Sequence, residues 1–145
     1  VQGFEAGPDT DTQSNYNEVG PGYFRTVGIP LLAGREFLAS DAAGAGKVAI
    51  VNETFAKKFN LGRDAVGKYI SDSTGNNVKL DIQIIGLVQD AKYSEVKDPT
   101  PPLFFRPYRQ NERLGFIGFY VKTAMDPEQL MPSIHAVIRS ASSRR

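Results

Sequence analysis

The sequence predicts an α+β fold, a mostly antiparallel β-sheet with two or three short helices. Three observations carry that expectation. Val78 to Val88 alternates apolar and polar residues after a polar turn, the pattern of a half-buried hairpin arm. Val48-Ala49-Ile50-Val51 is a short continuous apolar run followed by Asn52, a buried strand leading into a capped helix. Asp126-Pro127-Glu128 opens an amphipathic stretch at the end of the chain.

The elements follow in order. Residues 6–14, AGPDTDTQS, are small and polar and read as an exposed loop. Asn15 to Gly20 is a short extended piece. Pro21 to Gly28 is a turn or two of helix, with Pro near its start and Gly past its end. Ile29 to Phe37 is apolar, with Gly34-Arg35 as a turn or bulge, and Leu38 to Gly46 is loop. Lys47 to Val51 is the buried strand. Its helix runs from about Glu53 to Phe59, placing Phe55, Ala56 and Phe59 on one face. Val66 to Ser71 and Val78 to Val88 form a hairpin across the Asp72–Asn77 turn. Gly86 in the second arm marks a bulge or a close backbone approach.

Gln89 to Pro102 is a loop with three prolines. Leu103-Phe104-Phe105 is a short strand stopped by Pro107, and Gly115 to Thr123 alternates as a last strand. In the final helix Leu130, Ile134, Val137 and Ile138 make an apolar stripe, with Arg139, Arg144 and Arg145 toward the negative C-terminal end.

The length of 145 residues suits one domain. There is no Cys, which excludes a disulfide scaffold, a thiolate metal site and a cysteine nucleophile. The 17 basic and 16 acidic residues leave +1, without the basic excess of a nucleic-acid binder. The charge is uneven: residues 1–41 carry −4 and residues 106–145 carry +4. No apolar stretch is long enough to span a membrane. The opening Val1-Gln2-Gly3, without Met, points to a piece of a longer protein.

Candidate chemistry is thin. Gly62-Arg63-Asp64-Ala65-Val66-Gly67-Lys68 matches a phosphate loop, but Tyr69 stands where Ser or Thr would hold Mg²⁺. It also follows a helix and opens a strand, the reverse of the context that aims helix N–H groups at an anion. His135 is the single histidine and has no carboxylate at helical spacing. Asp9, Asp11, Asp72 and Asp81 are scattered and form no calcium loop. A hydrolase would need two acids brought into one cleft by the fold. Phe104, Phe105, Tyr108, Phe116, Phe119 and Tyr120 interleave with Arg106, Arg109 and Arg113, a pattern that could stack bases but reads better as two faces of a sheet. No residue is nominated as catalytic, cofactor-binding or metal-ligating, and no cofactor is expected.

An ordered set of phrases adds a resemblance. Asn17-Glu18-Val19-Gly20-Pro21-Gly22-Tyr23-Phe24 leads into Val27-Gly28-Ile29-Pro30-Leu31-Leu32-Ala33-Gly34-Arg35-Glu36-Phe37, then Asp41. Val48-Ala49-Ile50-Val51-Asn52-Glu53, Phe59 and Val66-Gly67-Lys68 follow. Ile84-Ile85-Gly86-Leu87-Val88-Gln89-Asp90-Ala91-Lys92-Tyr93 and Pro101-Pro102-Leu103-Phe104-Phe105-Arg106-Pro107 complete it. Across roughly residues 15–140 the chain resembles the MacB-like periplasmic core domain of ABC transporter permeases, grouped with FtsX-like permeases. It looks closest to the permeases abundant in acidobacteria.

The resemblance implies a non-enzymatic domain between two membrane helices, on the extracytoplasmic (periplasmic) side of the cell membrane. It implies one extracytoplasmic domain over 1–145, with 15–110 as an inserted β-rich subdomain and 111–145 as the returning strand and helix of an outer subdomain. The opening half of that outer subdomain would be missing or reduced to Val1–Glu5, and both membrane helices would lie outside the sequence. Implied partners are a second permease protomer, an ABC ATPase subunit or domain acting from the cytoplasm, and a periplasmic partner protein, with no nucleic acid. The function implied is coupling of ATP-driven conformational change to substrate export or envelope partners. The alternative is a stand-alone extracytoplasmic binding module for peptide, glycan or lipid, using the aromatic-rich 103–120 region.

Overall fold

The computed structural model describes residues 1–75, 78–91 and 99–143. Its elements are β1 (Asn15–Val19), α1 (Tyr23–Val27), β2 (Leu31–Gly34), β3 (Val48–Asn52), α2 (Glu53–Lys58), β4 (Tyr69–Ile70), β5 (Ile82–Val88), β6 (Leu103–Pro107) and α3 (Pro127–Ser142). Short 3₁₀ turns at Gly62–Ala65 and Tyr108–Gln110 follow α2 and β6. The class is α+β, as the sequence predicts.

The six strands form one mixed sheet, in the order β1-β6-β3-β5-β2, with β4 on β5. The pairings β2–β5, β3–β6 and β4–β5 are antiparallel, whereas β1–β6 and β3–β5 are parallel. β3 sits at the centre, and all five of its residues are buried. Its continuous apolar run follows from cover on both faces.

Each face has its own core. Ala49 and Val51 of β3 pack with Phe104, Ile82, Ile84 and Leu87 under Phe55, Ala56 and Phe59 of α2. Val48 and Ile50 point the other way, joining Leu103, Phe105, Ile85 and Val88 under Phe24 of α1. Phe24 meets Phe105 edge-on at 4.8 Å, a favoured aromatic geometry, and so holds a five-residue helix that could not persist alone.

The bulge expected at Gly86 is present. Ala49 pairs with Ile84 but Ile50 pairs with Gly86, so Ile85 is the extra residue. Asn52 caps α2, its Oδ1 accepting from Phe55 N–H at 2.9 Å. Gly28, left-handed at φ 77°, ends α1. Asp126 caps α3 by accepting from Glu128 N–H at 3.0 Å.

Three expectations change. The hairpin exists but is short: Tyr69 pairs with Gln83 and Ile70 with Ile82. Gly67, at φ 91°, keeps Val66–Lys68 out of the strand. Val78 and Leu80 are exposed, and no described strand pairs with them. Residues 115–123 alternate like a strand, yet no described strand pairs with them and they form none. Alternation sets side-chain faces; a ladder also requires a neighbouring backbone. The loop at 89–102 falls partly outside the described residues, as do Asn76-Asn77 in the turn, Lys92-Tyr93 and Arg144-Arg145.

Candidate functional site

The loci nominated by sequence separate in space. In the Gly62–Lys68 segment two backbone N–H groups of the would-be phosphate loop are engaged internally. Gly67 N–H donates to Ile84 O at 2.8 Å and Lys68 N–H to Ala65 O at 3.2 Å. The segment is a short 3₁₀ turn, Gly62–Ala65, that leads into β4, and no α-helix starts from it. His135 lies on the exposed surface of α3.

Three of the four scattered acids pair with cations. Asp11 meets Lys58 at 2.8 Å, Asp72 meets Arg106 at 2.6 Å, and Asp81 meets Lys47 at 2.8 Å. Hydrogen bonding from Lys58 lowers the Asp11 carboxyl below its ordinary value, and that from Lys47 does the same for Asp81. Asp41, outside those four, is buried and also paired. Arg35 grips both of its oxygens, at 2.8 and 3.0 Å, and Leu38 N–H adds a third bond at 2.8 Å. The Arg35 bonds lower the Asp41 carboxyl, against the opposing effect of burial. Among the described residues no group of three or more His, Cys, Asp or Glu is placed to hold a metal ion.

Sequence reasoning gave Asp90 no role of its own. Its carboxylate accepts from Thr54 N–H at 3.0 Å and from Thr54 Oγ1 at 2.7 Å, while Glu53 accepts from Asp90 N–H at 3.1 Å. Asn52 goes further than a cap. It also accepts from Leu103 N–H at 3.0 Å and donates to Pro101 O at 3.0 Å, tying β3, α2 and β6 together. Asn52 was legible as a cap from its place before the helix; for Asp90 and for the ties of Asn52 to β6 the sequence signal was their place in the ordered phrases.

The aromatic stretch from 103 to 120 divides into two kinds. Phe104 and Phe105 belong to the two cores. Phe116 and Phe119 are 90% and 82% exposed, and Leu114, Ile117, Tyr120 and Val121 are exposed beside them. Tyr120 touches the body of the fold, edge-on to Tyr23 at 5.5 Å. Helix α3 continues this character. Met131, Val137 and Ile138 are exposed, Leu130 and Ile134 are half-buried, and no residue of the helix is buried. An amphipathic helix normally covers its apolar stripe with another element. Segment 114–121 and α3 therefore present uncovered apolar surface, the kind that marks an interaction face.

No helix among the described residues is long and apolar enough to cross a membrane. The family model of the MacB-like periplasmic core domain matches residues 2–137. Among solved structures, the periplasmic region of MacB from Actinobacillus actinomycetemcomitans superposes with a TM-score of 0.63 at 18% identity. That superposition covers 95% of this chain and 61% of the other. A domain of a permease protein from Porphyromonas gingivalis gives a TM-score of 0.51 at 18% identity, over 90% of this chain and 62% of that one. At such identities the likeness speaks for the fold, and the chain spans less than two thirds of either structure. No curated protein matches the sequence.

Proposed function

The chain belongs to the MacB-like periplasmic core domain family, and on that premise we propose that it is the extracytoplasmic domain of an ABC transporter permease with no catalytic residues of its own. The observation that carries this reading is the family match across residues 2–137. The distribution of burial supports it. All six strands and both cores lie within residues 15–107, apart from Val1 and Phe4 packed at one margin. Residues 111–143 contribute nothing buried. This fits a β-rich subdomain over 15–110 and a returning strand and helix over 111–145 that complete themselves against another surface.

In this reading the sheet is a rigid body and the uncovered face is where it meets its surroundings. That surface would come from the remainder of the permease, a second protomer or a periplasmic partner. A cytoplasmic ATPase would act on the domain indirectly, by shifting the populations of two permease states. Coupling requires that the face bind its partner differently in those states.

These 145 residues contain no Cys, so the test needs replacement by Ser only of cysteines that the parent protein carries outside them. A single cysteine replacing exposed Thr10 in the full-length parent protein is treated with a membrane-impermeant maleimide in cells with a permeabilised outer membrane. The domain labels without lysis and fractionates with the membrane. Labelling only after lysis would sink the reading. Labelling outside but recovery in the soluble fraction would favour a stand-alone binding module. Titration of the chain with ATP and Mg²⁺ gives no saturable heat; a saturable signal would contradict an ATP site on a separate subunit or domain.

A further inference from the structure

A cleft of about 630 Å³ lies between the N-terminal segment, the α2 side of the sheet and residues Ser71–Gly75 after β4. We propose that it binds an uncharged, amphipathic small molecule with a ring-rich body. The proposal goes beyond membership of a permease and does not depend on it.

The volume falls within the usual range for small-molecule sites. The walls are aromatic. Tyr16 stacks on Phe104 with centroids 5.6 Å apart and planes 26° apart, and Phe55 lies 6.1 Å from Phe104. Phe4 closes one end, edge-on to Phe59 at 5.1 Å. Rings of this kind favour flat or cyclic apolar groups.

The N-terminal wall is pinned at two points. Gln2 N–H donates to Tyr69 O at 2.8 Å, and Gln2 Oε1 accepts from Tyr69 N–H at 3.1 Å. Farther along, Lys58 Nζ donates to Asp11 Oδ2 at 2.8 Å and to Gln13 O at 2.6 Å. The cleft is thus held open between fixed sides.

The charge pattern selects the ligand. Asp72 and Arg106 are the charged side chains in the lining, and they neutralise each other at 2.6 Å. Val1 lines the cleft too, and burial lowers the pKa of its α-amino group from the ordinary value, toward the neutral amine. An ionised ligand would lose hydration there, and the partly desolvated Val1 amine is a poor counter-charge. Thr12, Ser14, Ser71, Ser73 and Thr74, all hydroxyl-bearing residues, also line the cleft. They suit a ligand with neutral polar groups at its edge.

Two fluorescent probes sharing one ring skeleton test this: N-phenyl-1-naphthylamine, which is uncharged, and its 8-sulfonate. The uncharged probe binds the chain saturably at one site, and the sulfonate binds at least about tenfold more weakly. Tyr16→Ala weakens the uncharged probe about tenfold. Ser73→Trp, at an exposed position in the lining, fills the cleft and does the same. The double substitution Phe116→Ser/Phe119→Ser leaves the affinity unchanged, with far-UV circular dichroism showing that each variant is folded. The proposal is overturned if the sulfonate binds as tightly as the uncharged probe. It is equally overturned if affinity follows Phe116 and Phe119 while the two cleft variants bind like the parent.

Discussion

Gly34 and Gly86 face each other across the β2–β5 ladder, and neither position has room for a side chain. A Cβ on Gly34 would stand 2.1 Å from Ile85 O; one on Gly86 would stand 2.6 Å from Arg35 O. Arg35 N–H donates to Ile85 O at 3.0 Å, so the two backbones are drawn together at the bulge. Gly34 is also left-handed, at φ 75°.

Replacing either glycine by alanine forces β2 away from β5. Each single substitution is expected to destabilise the fold by about 3 kcal/mol or more. Gly34→Ala adds left-handed strain and is the worse of the two. Urea unfolding of the purified variants measures both, and a loss below about 1 kcal/mol would contradict the close approach.

Asn52 serves three backbone groups while 2% exposed. Asn52→Ala strands Phe55 N–H, Leu103 N–H and Pro101 O, at a cost of about 3 kcal/mol. Asn52→Asp keeps both accepted bonds, loses the donor and buries a charge. It should therefore recover stability as pH falls and the carboxyl protonates. Thermal melts of the two variants at pH 7 and pH 5 distinguish them: only the Asp variant moves toward the parent protein at the lower pH.

The Arg35–Asp41 pair makes stability pH-dependent. The folded carboxyl lies below its ordinary 3.8. Its contribution is then complete above 3.8 and disappears as pH falls through the lower, folded value. At pH 6, Asp41→Asn is expected to cost about 2 kcal/mol, the scale of hydrogen bonds to a charged group. The difference between parent and variant should narrow below pH 4 in a denaturant series. A constant difference down to pH 2 would assign the effect to packing.

Phe116 and Phe119 should behave oppositely to core aromatics. With 90% and 82% exposure, replacement by Ser is expected to change stability of the chain by less than about 0.5 kcal/mol. In the full-length parent protein the same pair should impair activity or assembly, because the exposed face is then covered. Side-by-side denaturation of the chain and functional assay of the parent protein test the contrast. Equal loss in both would mean that the two rings already support this fold.

Much of the local structure was legible from residue order. Val48–Val51 read as a strand buried on both faces, Asn52 as a helix cap, and Gly86 as a bulge. Each depends on neighbours within a few positions. The pairing of β1 with β6, from Asn15↔Leu103 to Val19↔Pro107, had no local signal. Nor did the second engagement of Asn52 with Leu103, 51 residues away.

The failures share one cause. Val78, Leu80 and residues 115–123 alternate correctly, but no described backbone lies beside them to complete a ladder. The sequence by itself determined which residues want burial, where helices start and stop, and the ordered phrases that point to the family. Only the tertiary structure decided that Phe104 and Phe105 are core while Phe116 and Phe119 are surface. It also assembled the cleft, whose walls come from residues as distant as Phe4 and Phe104. The physical reason is that apolar character and period are properties of a segment, whereas burial requires a partner surface.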